Sequence, residues 1–150
     1  MIAIDLPDPE ATAALGARIA AMARPGDAIA LEGDLGAGKT TLARAILAGL
    51  GHRGEVPSPT FPIIELYDPP GVRLPVVHAD FYRLESPAEV EELGLDDYRQ
   101  GAVLIAEWPA RAGGFAHEPG YLGIHMETRE NGRRILVERG PLWQGRGSWT

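Results

Sequence analysis

The segment Gly33-Asp34-Leu35-Gly36-Ala37-Gly38-Lys39-Thr40 constrains this chain more than any other feature. It matches the pattern Gly-x-x-x-x-Gly-Lys-Ser/Thr and lies between an apolar run, Ala28–Leu31, and a helical pattern from Thr40 to Leu50. Glycines let backbone N–H groups turn inward, and the positive end of the helix dipole points at the same place. The segment therefore predicts a phosphate-binding loop between a buried strand and a helix.

The side chains of this loop have separate predicted roles. Lys39 is the only lysine among 14 basic residues, and a compact ammonium on a thin stem suits the β- and γ-phosphates of a nucleotide. The Thr40 hydroxyl is expected to coordinate Mg2+, and Thr41 is expected to reach the α-phosphate. The residues predicted to bind nucleotide here are Gly33, Leu35, Gly36, Ala37, Gly38, Lys39, Thr40 and Thr41.

The rest of the pattern predicts a mixed central sheet with flanking helices, in a P-loop NTPase-like α/β fold. Strands are expected at 2–6, 61–67, 72–81, 102–106, 121–127 and 133–139, and a first helix at 10–23. Ser86-Pro87-Ala88-Glu89 predicts a further helix start, with Ser86 as N-cap and Glu89 closing a capping box. We expect one domain over residues 1–140 and a flexible tail over 141–150.

Composition limits where the chain works and what it contacts. It has no cysteine, no apolar run near the ~20 residues of a membrane span, and no signal peptide pattern, so we expect a cytoplasmic protein. The net charge of −7 disfavours tight unaided binding to RNA. The acidic run from Glu85 to Asp97 is interpreted either as a solvated helix face or as a docking surface for a basic partner.

Two carboxylates follow apolar runs at expected strand ends. Glu107 ends the run with the more continuous apolar character and is favoured as an Mg2+ ligand. Asp80 is expected either to lie next to the metal ligands or to orient the attacking water. Thr60 lies in a proline-rich loop where a hydroxyl can sense the γ-phosphate. The predicted catalytic set therefore has four members: Asp80, Glu107, Lys39 and Thr60.

Two nearby side chains are left open. His78 is interpreted as a packed strand residue in preference to a catalyst, and Trp108 either covers the nucleotide or fills the core. Because Lys39 is the only lysine, the Asn-Lys-x-Asp motif of guanine-specific proteins is absent, which favours ATP.

Five segments in this order resemble the TsaE (YjeE) family of tRNA threonylcarbamoyladenosine biosynthesis. They are 33–41, Ser58-Pro59-Thr60-Phe61, His78-Ala79-Asp80-Phe81-Tyr82-Arg83-Leu84, Glu91-Glu92-Leu93-Gly94-Leu95-Asp96-Asp97-Tyr98 and Glu107-Trp108-Pro109. The resemblance implies an ATPase that uses Mg2+ held by Thr40 and Glu107. It further implies TsaD and TsaB as protein partners, with tRNA contacted indirectly. Glu10, Gly132 and Arg133 would then border the nucleotide pocket.

Two other functions remain as alternatives to this auxiliary ATPase. A small-molecule P-loop kinase would transfer the γ-phosphoryl group to an acceptor, although no arginine-rich helical lid is visible in the sequence. A non-hydrolytic switch would only change its affinity for a partner when nucleotide binds. Asp80 and Glu107 argue against such a switch.

Overall fold

The computed structural model describes residues 1–57 and 64–149. Seven strands lie within these residues: β1 (Ile2–Leu6), β2 (Ala28–Gly33), β3 (Ile64–Tyr67), β4 (Val76–Asp80), β5 (Val103–Glu107), β6 (Tyr121–Arg129) and β7 (Gly132–Arg139). The helices in these ranges are α1 (Pro9–Met22), α2 (Lys39–Gly49), α3 (Ala88–Leu93) and α4 (Leu95–Arg99), and a 3-10 turn spans Pro109–Ala112. None of these helices is long and apolar enough to cross a membrane.

The strands form one mixed sheet in the order β1-β7-β6-β2-β5-β4-β3. Strand β2 is parallel to both β5 and β6, and β5 is parallel to β4. The outer pairs β3–β4, β6–β7 and β1–β7 are antiparallel. The predicted mixed α/β sheet is therefore confirmed. Since β2, β4 and β5 run the same way, their carboxyl ends meet at one edge, where α/β folds bind ligands.

Alternation along the central strand assigns its side chains to two cores. Ile29 and Leu31 point to the face that carries α1 and α2, whereas Ala28 and Ala30 point to the face that carries α3 and α4. All four are at most 1% exposed. A strand buried on both faces reads as a continuous apolar run, which is why residues 28–31 were recognisable in the sequence.

Helices α1 and α2 pack closely because small residues line their contact. A Cβ added at Gly16 would lie 2.3 Å from the Cβ of Ala45, and one added at Gly49 would lie 2.7 Å from the Cβ of Ala20. Neither distance is sterically possible, so larger residues would force the helices apart. This contact fixes the position of α2, and therefore of the loop in front of it, relative to the sheet.

The C-terminal segment differs from the expected flexible tail. Trp143 is fully buried and Trp149 is 4% exposed, and both belong to the core under α1 and α2. Arg146 makes two hydrogen bonds to the buried carboxylate of Asp27, at 2.7 and 3.1 Å. The two indoles bury a large apolar area, which orders a segment whose glycines are typical of a flexible tail. A domain boundary at residue 140 stays a prediction.

The helix start predicted around Ser86 is wrong in its details. Pro87 is the N-cap residue of α3, and no side chain in the described part of the chain caps that end. The Glu89 carboxylate instead accepts a hydrogen bond from the amide of Glu85, at 3.2 Å. Exposed carboxylates follow along α3 and α4 at Glu91, Glu92, Asp96 and Asp97. Both interpretations of this acidic surface remain predictions.

Candidate functional site

The phosphate-loop candidate joins the end of β2 to the start of α2. Three of its glycines, Gly33, Gly36 and Gly38, have positive φ angles of 149°, 80° and 104°, which residues with a Cβ rarely adopt. A Cβ at Gly33 would also lie 2.6 Å from the carbonyl oxygen of Met126 on the neighbouring strand. The loop therefore needs glycine for its turns and for its close fit against the sheet.

Lys39 lies inside this loop and is 5% exposed. Its Nζ donates hydrogen bonds to the carbonyl oxygens of Gly33 and Asp34, at 2.6 and 2.8 Å. It also lies 4.3 Å from the centre of the Trp108 ring. Burial lowers the pKa of Lys39 from its usual value, and the carboxylates of Glu107 and Asp80 oppose this shift. A concentrated positive charge is thus held at the floor of the loop.

Thr40 and Glu107 meet next to this charge. The Thr40 hydroxyl donates a 2.7 Å hydrogen bond to Oε1 of Glu107, the last residue of β5. Glu107 is only 2% exposed. Neutral hydroxyl and carboxylate oxygens are the ligands that Mg2+ prefers, and this ion needs few protein ligands when phosphates supply the rest. The pair fits a magnesium ion bound together with a phosphate ligand.

His78 is the second partner of Glu107. Its Nε2 lies 2.7 Å from Oε2 of Glu107, and its side chain is fully buried. The interpretation of His78 as a packed strand residue agrees with this burial, but it did not include the contact with Glu107. One signal was available in the sequence: His78 lies two residues before Asp80 in the same strand and so shares its face.

Asp80 ends β4 and is paired in register with Glu107. Its Oδ1 accepts a hydrogen bond from the amide of Tyr82, at 3.0 Å. Burial raises the pKa of Asp80 above its usual value, while the Tyr82 amide acts in the opposite direction. Asp80 is therefore a stronger base than an ordinary surface aspartate. It lines the same cavity as Lys39 and Glu107.

Trp108 and Arg133 form the walls of the same cavity. Trp108 has a φ of 57°, a left-handed conformation that is unfavourable for a bulky residue, and its ring packs 4.9 Å from that of Tyr82. Arg133 Nη2 donates to the carbonyl oxygen of Gly36 at 3.1 Å. A Cβ at Gly38 would come within 2.8 Å of Arg133 Nε. The hairpin β6–β7 thus brings a second cation to the loop.

The structure gathers most of the predicted residues around this cavity of about 250 Å3. Its lining comprises Leu35, Gly36, Gly38, Lys39, Thr40, Thr41, Asp80, Glu107, Trp108 and Arg133. Gly33 and the buried Ala37 shape the loop from behind, and Gly132 starts β7 next to Arg133. Glu10 lies in the exposed first turn of α1, outside this lining. Thr60 lies outside the described residues.

Comparison with known proteins gives a consistent result. The family model described as "Threonylcarbamoyl adenosine biosynthesis protein TsaE" matches residues 6–136. A protein of Bacillus subtilis named "tRNA threonylcarbamoyladenosine biosynthesis protein TsaE" is 51% identical over 67% of this chain and 62% of its own length. A relative of the same name from Streptomyces coelicolor is 47% identical over 63% of this chain and 64% of its own length.

A solved structure resembles this fold as well. The crystal structure of Bacillus subtilis YdiB superposes with a TM-score of 0.72 and 34% identity, over 93% of this chain and 86% of that one. The chain spans a little under two thirds of the length of the two curated relatives described above. Because the family model covers most of the sequence, from residue 6 to residue 136, the chain belongs to the TsaE family.

Proposed function

We propose that this chain binds ATP with Mg2+ in the cavity in front of α2 and hydrolyses it. The observation that carries the proposal is the placement of three side chains. Lys39 is held inside the loop by two carbonyl oxygens, and Thr40 bonds to Glu107 beside it. A buried ammonium, a hydroxyl and a carboxylate at the carboxyl ends of parallel strands suit a magnesium triphosphate.

The loop and Lys39 would bind the phosphates. Gly36 and Gly38 have no Cβ that would hinder a phosphate from reaching their backbone amides, and the positive end of the 11-residue α2 lies behind them. The Lys39 ammonium would exchange bonds to uncharged carbonyl oxygens for stronger bonds to phosphate. This exchange favours a bound anion over the empty loop.

Thr40 and Glu107 would hold the metal. When bound, Mg2+ neutralises charge on the phosphate oxygens and thereby assists attack by water. Asp80, with its raised pKa, would orient a water molecule and accept its proton. Arg133, which donates a hydrogen bond to the Gly36 carbonyl oxygen, would supply a second positive charge at the loop.

We further propose that the chain is an auxiliary ATPase in the formation of threonylcarbamoyladenosine on tRNA. The names of the related proteins support this role. Its expected partners are TsaD and TsaB, its contact with tRNA is expected to be indirect, and its expected location is the cytoplasm. ATP is favoured over GTP since the single lysine of the chain is already part of the loop.

The direct test of hydrolysis is the release of inorganic phosphate from ATP and Mg2+ by the purified chain, alone and with TsaD and TsaB. We expect slow release alone and faster release with the partners, and we expect both to be lost in Glu107→Ala. A phosphorylated small molecule in place of free phosphate would indicate a kinase. ATP binding without turnover under any of these conditions would indicate a switch.

The test of the cellular role uses an extract depleted of the native family member. Addition of this chain should restore threonylcarbamoyladenosine in tRNA, and addition of Lys39→Ala should not. Normal ATP hydrolysis without restored modification would contradict the tRNA role while leaving the ATPase assignment intact.

A further inference from the structure

His78 is a polar side chain in a place that packing alone would fill with an apolar one. It has no solvent exposure and lies on the same face of β4 as Val76, in register with Ile105 on β5. Its Nδ1 is buried and has no hydrogen-bond partner among residues 1–57 and 64–149. Burying an unpaired polar atom costs free energy that a leucine of similar volume would avoid. The residue therefore needs an explanation beyond filling space.

The contact with Glu107 supplies that explanation. The two oxygens of this carboxylate are bound from different elements: Oε1 accepts from Thr40 on α2, and Oε2 lies 2.7 Å from Nε2 of His78 on β4. A carboxylate bound at both oxygens cannot rotate freely about its last torsion angle. Glu107 is thus held between α2 and β4.

The unpaired Nδ1 indicates which ring nitrogen carries the proton. A hydrogen on Nε2 satisfies the carboxylate and leaves only a bare lone pair at Nδ1. A hydrogen on Nδ1 would instead leave a buried donor unpaired and place two acceptors face to face at Nε2 and Oε2. His78 therefore acts as a hydrogen-bond donor to Glu107.

We infer that His78 is a positioning residue, whose hydrogen bond to Oε2 of Glu107 holds Oε1 at Thr40 in the orientation that a metal ion needs. This inference rests on the proposed function for its consequence in binding. Groups that donate a hydrogen bond to a metal ligand typically change metal affinity by about 10- to 100-fold when they are removed. His78 itself contacts neither nucleotide nor metal in this account.

The variants for the test are His78→Leu, which removes the donor but keeps the bulk, and His78→Gln, whose amide can donate from the position of Nε2. The exposed His117→Leu is the matched control for loss of a histidine. Affinity for ATP is measured with Mg2+ and with the metal chelated. Mg2+ should increase ATP affinity about tenfold less in His78→Leu than in the unaltered chain, while the affinity in chelator stays unchanged. In His78→Gln, most of the increase due to Mg2+ should be retained.

A second measurement does not depend on nucleotide binding. In a crystal structure of His78→Leu without ligand, we expect Glu107 to leave its bond with Thr40 or to occupy several rotamers. The inference is overturned if Glu107 keeps its position there, if the gain from Mg2+ is intact, or if both affinities fall equally. If the unaltered chain binds no nucleotide, the proposed function fails, and the crystal structure alone decides the positioning role.

Discussion

The hydroxyl of Thr40 donates a 2.7 Å hydrogen bond to Oε1 of Glu107, and this bond ties the first turn of α2 to the end of β5. The two residues are 67 positions apart in sequence. Their contact closes the base of the cavity and places a hydroxyl and a carboxylate side by side. Both residues line the cavity with their oxygens 2.7 Å apart, so one metal ion could take both as ligands.

Removing the Thr40 hydroxyl should weaken the metal-dependent part of nucleotide binding. Thr40→Ala deletes a metal ligand and leaves the Glu107 carboxylate with one partner fewer. We expect about a 10- to 100-fold loss of ATP affinity in Mg2+, the scale of one hydrogen bond to a charged group. Affinity in chelator should stay within about twofold. Thr40→Ser keeps the hydroxyl and should bind like the unaltered chain, so an equal loss in Ser and Ala would contradict the assignment.

Replacing Asp80 with an isosteric neutral amide should separate stability from activity. Burial raises the Asp80 pKa, so the folded state binds this proton more tightly than the unfolded state. Stability therefore falls as pH rises from the 3.8 of an unperturbed aspartate through the higher folded value, and the cost persists at neutral pH. Asp80→Asn should raise the thermal midpoint at pH 7 and lower phosphate release.

The pH dependence provides the check on that prediction. The stability difference between Asp80→Asn and the unaltered chain should shrink as the pH is lowered through the window where Asp80 binds its proton. The exposed Asp96→Asn serves as a control and should change the midpoint little at any pH. A lower midpoint for Asp80→Asn at neutral pH would show that its charge stabilises the fold.

Trp108 should report nucleotide binding by fluorescence. It is one of three tryptophans and lies 4.3 Å from the Lys39 ammonium at the cavity, whereas Trp143 and Trp149 are buried in the core. Addition of ATP and Mg2+ should change the emission of the unaltered chain and of Trp143→Phe. The change should be absent in Trp108→Phe if that variant still binds ATP by calorimetry. A retained signal in Trp108→Phe would locate the response elsewhere.

The C-terminal segment should contribute several kcal/mol to stability. Trp143→Ala removes a fully buried indole and should cost about 3–5 kcal/mol in the free energy of unfolding. Its neighbour Leu142 is 53% exposed, and Leu142→Ala should stay within about 0.5 kcal/mol. Denaturant unfolding measures both values. Equal, small effects would restore the expectation of a flexible tail.

Local patterns made the central part of the fold predictable. The apolar run of β2, the glycines of the loop and the neighbouring strands expected at 121–127 and 133–139 are each indicated by local sequence. The structure contains β2, the loop turns and the antiparallel pair β6–β7. Asp80 and Glu107 were placed together correctly because the carboxyl ends of parallel strands share one edge.

Contacts between distant parts of the chain were not predictable in this way. The pairing of His78 with Glu107 depends on the register of β4 against β5, and the left-handed backbone of Trp108 depends on what surrounds it. The burial of Trp143 depends on a long-range docking that includes the Asp27–Arg146 ion pair. Arg133 was expected at the pocket only from the resemblance to the TsaE family, since nothing local indicates which hairpin reaches the loop.

Isothermal titration of the chain with ATP and Mg2+ tests the central claim most directly. We predict a saturable heat of binding to one site per chain, with Lys39→Ala losing most of the affinity because the fixed cation at the phosphates is gone. No heat with any magnesium nucleotide, or an unchanged dissociation constant in Lys39→Ala, would contradict the assignment of this loop as the nucleotide site.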